Sequence, residues 1–168
     1  MAPARHRQGR PQGGLHRGGF DPGNVERLYA RRFSPAELEK KSLIWSYLTP
    51  FFAARFPSPT RRVLDLASGR GEFIHHVKAD QRVALDLNSD GIDPGLRDVM
   101  RIQADATRLH EHFDNNSFDV VFCSNFLEHL YDKDQIHLVF SEVRHVLRPG
   151  GRLLILQPDI RWVGGTYW

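Results

Sequence analysis

Three aspartates and two glycines carry the chemistry that this chain displays most openly. Asp65 lies in the apolar run Val63-Leu64-Asp65-Leu66, and Gly69 and Gly71 follow it within the next six residues. An apolar strand that enters a glycine turn and then opens a helix brings backbone N–H groups close to a ligand at the strand's carboxyl end. Glycine suits that turn because it has no Cβ and tolerates positive φ. The acid beside the turn can accept a hydrogen bond from an ammonium or a hydroxyl. A second run, Arg82-Val83-Ala84-Leu85-Asp86-Leu87, brings an acid 15 residues beyond Gly71. An acid at about that distance is suited to ribose hydroxyls. A third run, Val99 to Gln103, leads into Ala104-Asp105-Ala106. Ile74 stands where a dinucleotide fingerprint needs its third glycine, and no G-K-[ST] follows the turn. The chain therefore has neither a complete G-x-G-x-x-G motif nor a P-loop.

The elements that must position these residues are legible from periodicity. A fourth apolar run, Phe118 to Cys123, leads into Ser124-Asn125-Phe126-Leu127-Glu128-His129-Leu130. A fifth, Arg152 to Leu156, follows the turn Arg148-Pro149-Gly150-Gly151. Short apolar runs that alternate with helical patterns predict a parallel sheet covered on both faces. The helix before the fifth run shows an apolar stripe of Ile136, Val139, Phe140, Val143, Val146 and Leu147, with Asp132 as its N-cap and Gln135 three residues on. Ser34-Pro35-Ala36-Glu37 is a capping box that opens an earlier helix, which Pro50 should kink. That helix reads first as a packing element beside the sheet.

Composition sets bounds on this reading. A chain of 168 residues suits one domain with a substantial core. Its single cysteine, Cys123, lies at the end of an apolar run, reads as a small core residue and suits a reducing cytoplasm. There is no apolar run of membrane-spanning length and no apolar leader segment. The net charge of +3 resides in the tail, since Arg5, Arg7, Arg10 and Arg17 leave 19 basic against 20 acidic residues when set aside. Residues 1–24 are too polar to fold and read as a disordered, solvated extension. Arg17-Gly18-Gly19 is the one hint of RNA contact in that tail. His110-Glu111-His112 lacks metal-ligand spacing, so no metal site is expected.

The segment Asp65-Leu66-Ala67-Ser68-Gly69-Arg70-Gly71 resembles motif I of the class I S-adenosylmethionine (SAM) dependent methyltransferases, specifically the type 11-like group. Ser124-Asn125-Phe126-Leu127-Glu128-His129-Leu130 resembles motif IV of the small-molecule members. The resemblance implies a Rossmann-like three-layer α/β sandwich with a mainly parallel sheet over residues 25–168. Five strands would be present in the order 3-2-1-4-5, with the sixth and seventh missing. It also implies SAM as cofactor. Asp65, Ala67, Gly69 and Gly71 would surround its methionine portion, Asp86 its ribose with Leu87 beside it, and Asp105 and the Ala106 N–H its adenine. Ser124 and Asn125 would complete the cofactor site. His129 would be the general base toward a hydroxyl of a small-molecule acceptor. Tyr29 and Arg32, in a segment similar to the family's N-terminal lid, would close over SAM. Each acid also has a plainer reading as a turn or helix cap, and His129 as a packed or capping histidine. Cofactor binding without turnover is the alternative function, and a nicotinamide-dependent oxidoreductase is disfavoured by the missing third glycine. The fifth strand would form an open apolar edge at Leu153-Leu154-Ile155-Leu156, a template for self-association.

Overall fold

In the computed structural model, which describes residues 35–88, 92–93 and 95–163, the five apolar runs form one parallel sheet. Residues 1–24, Tyr29, Arg32 and the capping serine Ser34 lie outside the described residues. The elements in chain order are α1 (Pro35–Ala53), β1 (Arg62–Leu66), α2 (Glu72–His76), β2 (Gln81–Asp86), β3 (Val99–Gln103), β4 (Phe118–Ser124), α3 (Lys133–Val146), β5 (Leu147–Leu156) and α4 (Ile160–Val163). Two 3-10 segments, Ala106–Glu111 and Leu127–His129, follow β3 and β4. The spatial order is β3-β2-β1-β4-β5, and every neighbouring pair is parallel.

Side chains alternate across a strand, so a sheet buried on both faces needs apolar residues at consecutive positions. The inner strands β1, β2 and β4 meet that need, whereas β3, with Met100, Arg101 and Gln103 exposed, does not. Leu64, Leu66, Val83, Leu85, Val121 and Cys123 pack on one face, against Val139, Val143 and Val146 of α3. Val63, Ala84, Val120 and Phe122 pack on the other, against Phe52 of α1 and Phe73 and Ile74 of α2. Phe122 anchors that second layer: its ring stacks on Phe73 with centroids 3.7 Å apart and meets the edges of Trp45 and Phe52. Aromatic pairs of this kind add about 0.5–1.5 kcal/mol beyond area burial. Trp45, Leu48 and Phe52 form the inward face of α1, with Phe56 packed just beyond its end, while Ile44 and Phe51, apolar residues at the same helical spacing, do not reach the core. Leu43, Ile44, Tyr47 and Phe51 are exposed on its other side. The helix continues past Pro50, which has no N–H to donate to the carbonyl one turn back, to Ala53.

The start of α3 is capped as predicted. The Gln135 backbone N–H donates to Asp132 Oδ1 at 2.9 Å, and Gln135 returns its Oε1 to the Tyr131 N–H. The strand β5 begins earlier than periodicity suggests, at Leu147 rather than Arg152. Phe118 pairs with Leu147 and Val120 with Arg152, so the Arg148-Pro149-Gly150-Gly151 turn is absorbed as a bulge within the strand. Gly151 is required there: a Cβ would lie 2.9 Å from the Arg148 carbonyl oxygen and 3.1 Å from that of Asp119. The buried Asp119 pins this end of the sheet. Its Oδ2 accepts the Arg61 and Arg62 backbone N–H groups at 2.6 Å, and its Oδ1 lies 2.6 Å from Arg148 Nε. Within the described residues no helix is long and apolar enough to cross a membrane.

Candidate functional site

Because all five strands are parallel, their carboxyl ends share one edge. From β1 the chain adds β2 and β3 on one side and then β4 and β5 on the other, and the switch point between β1 and β4 is where open α/β sheets bind ligands. The connection from β1 to α2 sits there and is unusually wound. Ala67, Gly69 and Gly71 all have positive φ, at 54°, 54° and 81°. A left-handed alanine costs about 1–2 kcal/mol, the kind of local strain that collects at functional sites. The turn is fixed by Ser68 N–H donating to the Leu85 carbonyl at 3.0 Å and Gly71 N–H donating to the Ser68 carbonyl at 2.8 Å.

The two glycines face different surroundings. A Cβ built on Gly69 would meet nothing within 4 Å. A Cβ on Gly71 would lie 2.5 Å from Leu96 Cδ1 and 3.3 Å from Ile74 Cγ2. Gly69 thus borders open space, whereas Gly71 is required by the protein's own packing. Asp86, at the end of β2, ties the turn to its own strand. Its Oδ2 accepts the Gly69 N–H at 2.8 Å and its Oδ1 the Asn88 N–H at 2.9 Å. Leu87 beside it is 70 % exposed, an apolar surface standing free at the sheet edge.

Asp65 lies beneath this turn, 3 % exposed, with its Oδ2 buried and without a hydrogen-bond partner. Burial holds its carboxyl well above the usual carboxylate range. A backbone hydrogen bond from Ile74 opposes that, and the neighbouring charges of Glu72 and Asp86 reinforce it. Asp105 caps the 3-10 segment Ala106–Glu111: its Oδ1 accepts both the backbone N–H and the hydroxyl of Thr107 at 2.8 Å. Ala106 next to it is buried. The Gln103 side-chain amide donates to the Leu87 carbonyl at 3.1 Å and ties the ends of β2 and β3 together.

On the β4 side, Ser124 is half-buried and Asn125 is exposed with φ 47°. The Asn125 N–H donates to the Leu156 carbonyl at 2.9 Å. Gln157, which sequence reasoning passed over, clasps this loop. Its Oε1 accepts the Phe126 N–H at 3.0 Å, and its amide donates to Glu128 Oε2. Its place directly after an apolar strand was the only signal available. His129 is exposed, and its backbone N–H donates to the Phe126 carbonyl. Cys123 is buried, and burial, with the charges of Asp65 and Glu128, pushes its thiol up to about 12. It is a core residue, as read.

Among the described residues, cavities lie at both ends of the strands. One of about 530 Å³ lies at the amino ends of β1 and β2, lined by Thr60, Lys78, Asp80 and Arg82. It is at the wrong end of the strands for the turn chemistry. A smaller one, about 120 Å³, adjoins the turn through Arg70, Gly71 and Glu72. The space beside Gly69 lies outside both cavities, next to Asp86, which accepts the Gly69 N–H.

Sheet order, strand direction and a strained glycine turn at the switch point together define a Rossmann-like domain of the class I SAM-dependent methyltransferase type. Residues 64–155, more than half of the chain, match the methyltransferase domain family, and the chain belongs to that family. It is 38% identical over 110 residues to the ubiquinone/menaquinone biosynthesis C-methyltransferase UbiE of Idiomarina loihiensis, covering 57% of this chain and 42% of that protein. The corresponding protein of Haemophilus ducreyi is 36% identical over 112 residues. The chain spans about two fifths of the length of these curated relatives. Among solved structures, a SAM-dependent methyltransferase from Archaeoglobus fulgidus aligns with a TM-score of 0.57 at 22% identity, over 76% of this chain and 56% of that one. One from Thermotoga maritima aligns at 0.61 and 19% identity, over 84% of this chain and 66% of that one. Likenesses at this level of identity show the shared fold.

Proposed function

We propose that this domain binds SAM across the carboxyl ends of β1, β2 and β3 and transfers its methyl group to a small-molecule acceptor. One observation carries the reading: Gly69 holds a positive φ with open space where a side chain would stand, while its N–H is fixed by the acid that ends β2. Such a cradle, with a buried unpartnered carboxylate oxygen beneath it, fits an aminoacyl-nucleoside that carries a cation at one end and ribose hydroxyls in the middle.

The residues divide the work of binding. The turn from Ala67 to Gly71 lies along the aminoacyl portion, with Asp65 below it. Asp86 has lone pairs beyond the two it gives to Gly69 and Asn88, and it takes the ribose hydroxyls. Leu87 offers its exposed side chain to the adenine face, and Asp105 and the Ala106 N–H take the adenine edge. Ser124 and Asn125 bound the site on the β4 side. SAM supplies an activated methyl group that needs only in-line positioning and exclusion of water. His129 accepts the proton that the acceptor releases. The relatives' C-methylation in ubiquinone and menaquinone biosynthesis makes a ring carbon of a quinone precursor the acceptor to test first. The domain takes in residues 25–168, works in the cytoplasm, and can self-associate through β5, an edge strand among the described residues.

Calorimetry with SAM tests the binding assignment. Asp86→Ala removes charge-assisted hydrogen bonds of about 1.5–3 kcal/mol, so affinity should fall about tenfold or more. Equal affinities for variant and parent would overturn the assignment. Transfer of labelled methyl from SAM to a quinone precursor would establish turnover, and binding without transfer to any acceptor would favour a non-catalytic module.

A further inference from the structure

From Leu43 to Phe52 only Ser46 and Thr49 interrupt the apolar residues of α1. A helix that is apolar all round is normally buried all round. This one is not. Trp45, Leu48 and Phe52 turn to the sheet, whereas Leu43, Ile44, Tyr47 and Phe51 are between 46 % and 75 % exposed. Leu43, Tyr47 and Phe51 stand one above the other, because residues four apart share a helix face, and Ile44 widens the stripe. Exposed basic residues bracket it. Lys40 lies one turn before Ile44. At the other end the Arg55 guanidinium sits 3.8 Å over the Phe51 ring and donates to the Phe51 carbonyl at 2.6 Å. In the first turns of α1 the charges balance, Glu37 and Glu39 against Lys40 and Lys41, and Lys41 Nζ lies 3.9 Å from Glu72. The sequence that leads directly into α1, residues 1–34, is far from balanced: it holds seven arginines against the two acids Asp21 and Glu26.

We propose that the outer side of α1 is a docking surface for an anionic lipid bilayer, with the Leu43–Phe51 stripe set into the boundary of the acyl chains and the arginine-rich segment before it held by the phosphate headgroups. A helix used in this way lies on a membrane and does not span it. Charge complementarity selects this occupant. The headgroups answer the arginines, the acyl chains answer the stripe, and stable attachment takes both signals together. A nucleic acid would satisfy the arginines and leave the stripe in water. A second copy of the chain fits less well. The stripe is about 12 Å long on a helix about 10 Å across. A stable protein interface takes about 800 Å² from each partner. The surface uses none of the residues assigned to SAM, so the proposal stands apart from cofactor binding.

The test is co-sedimentation of the full chain with vesicles of equal parts phosphatidylcholine and phosphatidylglycerol, set against vesicles of phosphatidylcholine alone. The expected result is partitioning at least about tenfold stronger to the anionic vesicles, and weaker as salt screens the headgroups. Ile44→Gln combined with Tyr47→Gln changes only exposed positions and should lose at least about tenfold in binding to the anionic vesicles. Anionic-vesicle binding that this double variant leaves unchanged would overturn the proposal and assign the arginines to polyanions in general, RNA included. No partitioning by the parent would overturn it as well. So would light scattering that shows a dimer for the parent and a monomer for the double variant, which would give the stripe to a second copy. A polarity-sensitive fluorophore at Tyr47→Cys supplies a readout that does not depend on the double variant folding, since Cys123 is buried away from the label. Its emission should shift to the blue when anionic vesicles are added, and the same label at Ser141→Cys, on the exposed side of α3, should not respond. Equal responses at the two positions would contradict docking through α1. Emission at Tyr47→Cys that is already blue without vesicles would show the stripe covered by the chain's own residues 25–34, and would overturn the proposal too.

Discussion

Gly69 and Gly71 are two residues apart, both have positive φ, and the structure gives alanine at each a different consequence. Either substitution puts an L side chain in the left-handed region, at a cost of about 1–2 kcal/mol. At Gly69 nothing further is added, because the new methyl meets no atom within 4 Å. At Gly71 the methyl would lie 2.5 Å from Leu96 Cδ1, in a pocket where Ile74 and Ile92 leave little room. Leu96 is buried, so its shift displaces neighbours, and overpacking of this kind costs about 1–3 kcal/mol. Gly71→Ala should therefore be less stable than Gly69→Ala by about 1–3 kcal/mol. At roughly 2–4 °C per kcal/mol in a chain of this size, the melting temperatures should differ by several degrees. Ligand affinity should follow the opposite order. The Gly69 methyl stands in the space assigned to SAM, so Gly69→Ala should lose at least about tenfold in affinity, or 1.4 kcal/mol. Folded Gly71→Ala should lose less. Thermal melts and calorimetry on the two variants check both halves. Equal melting temperatures, or SAM binding by Gly69→Ala as tight as the parent's, would refute the division of roles.

Asp119→Ala should destabilise the fold by about 3–5 kcal/mol, because it strands Arg148 and the Arg61 and Arg62 N–H groups, while leaving SAM affinity of the folded protein unchanged; chemical denaturation and calorimetry measure the two effects. Glu142 gives a pH-dependent contribution. Burial pushes its carboxyl up, but the His110 N–H and ring, which hydrogen-bond to it at 2.8 and 2.9 Å, together with the charges of His110 and His145, bring it below its ordinary value. A depressed carboxyl contributes its stability above the unfolded-state value and loses it as pH falls through the folded one. Glu142→Gln should thus cost about 1 kcal/mol near neutrality, and its deficit should shrink as pH falls below the usual glutamate range; a deficit that grows in acid would contradict this. The β5 edge should drive concentration-dependent association, since Ile155 is 39 % exposed there, and light scattering that shows a monomer at high concentration would count against it.

The apolar runs were legible because a parallel sheet needs consecutive apolar residues, and little else in a chain of this length produces them; their order in the sheet followed only from the resemblance to the methyltransferase family. The acids at or near the strand ends were legible for the same reason: Asp86 terminates its run and Asp105 follows the end of its run. What each acid touches was not. Asp86 and Asp105 both hold backbone N–H groups, so the capping reading and the ligand reading turn out to be compatible at one carboxylate. Gly69 and Gly71 look alike in the sequence, and only the position of Leu96, 25 residues downstream, separates them. Long-range pairs such as Arg148 with Asp119 and Gln157 with Glu128 leave no local pattern. The early start of β5 escaped periodicity because the Pro149-Gly150-Gly151 turn was absorbed as a bulge. Tyr29 and Arg32, for which the sequence suggested a lid role, lie outside the described residues.

Amide chemical-shift mapping of the isotope-labelled chain during titration with S-adenosylhomocysteine tests the central claim most directly. The account predicts that the largest shifts fall on Ser68 to Gly71, Leu87 and Ala106, the backbone that lines the carboxyl edge of β1, β2 and β3. Shifts confined to Lys78, Asp80 and Arg82, around the cavity at the opposite end of the strands, would contradict it. The absence of any shift at saturating ligand would contradict it as well.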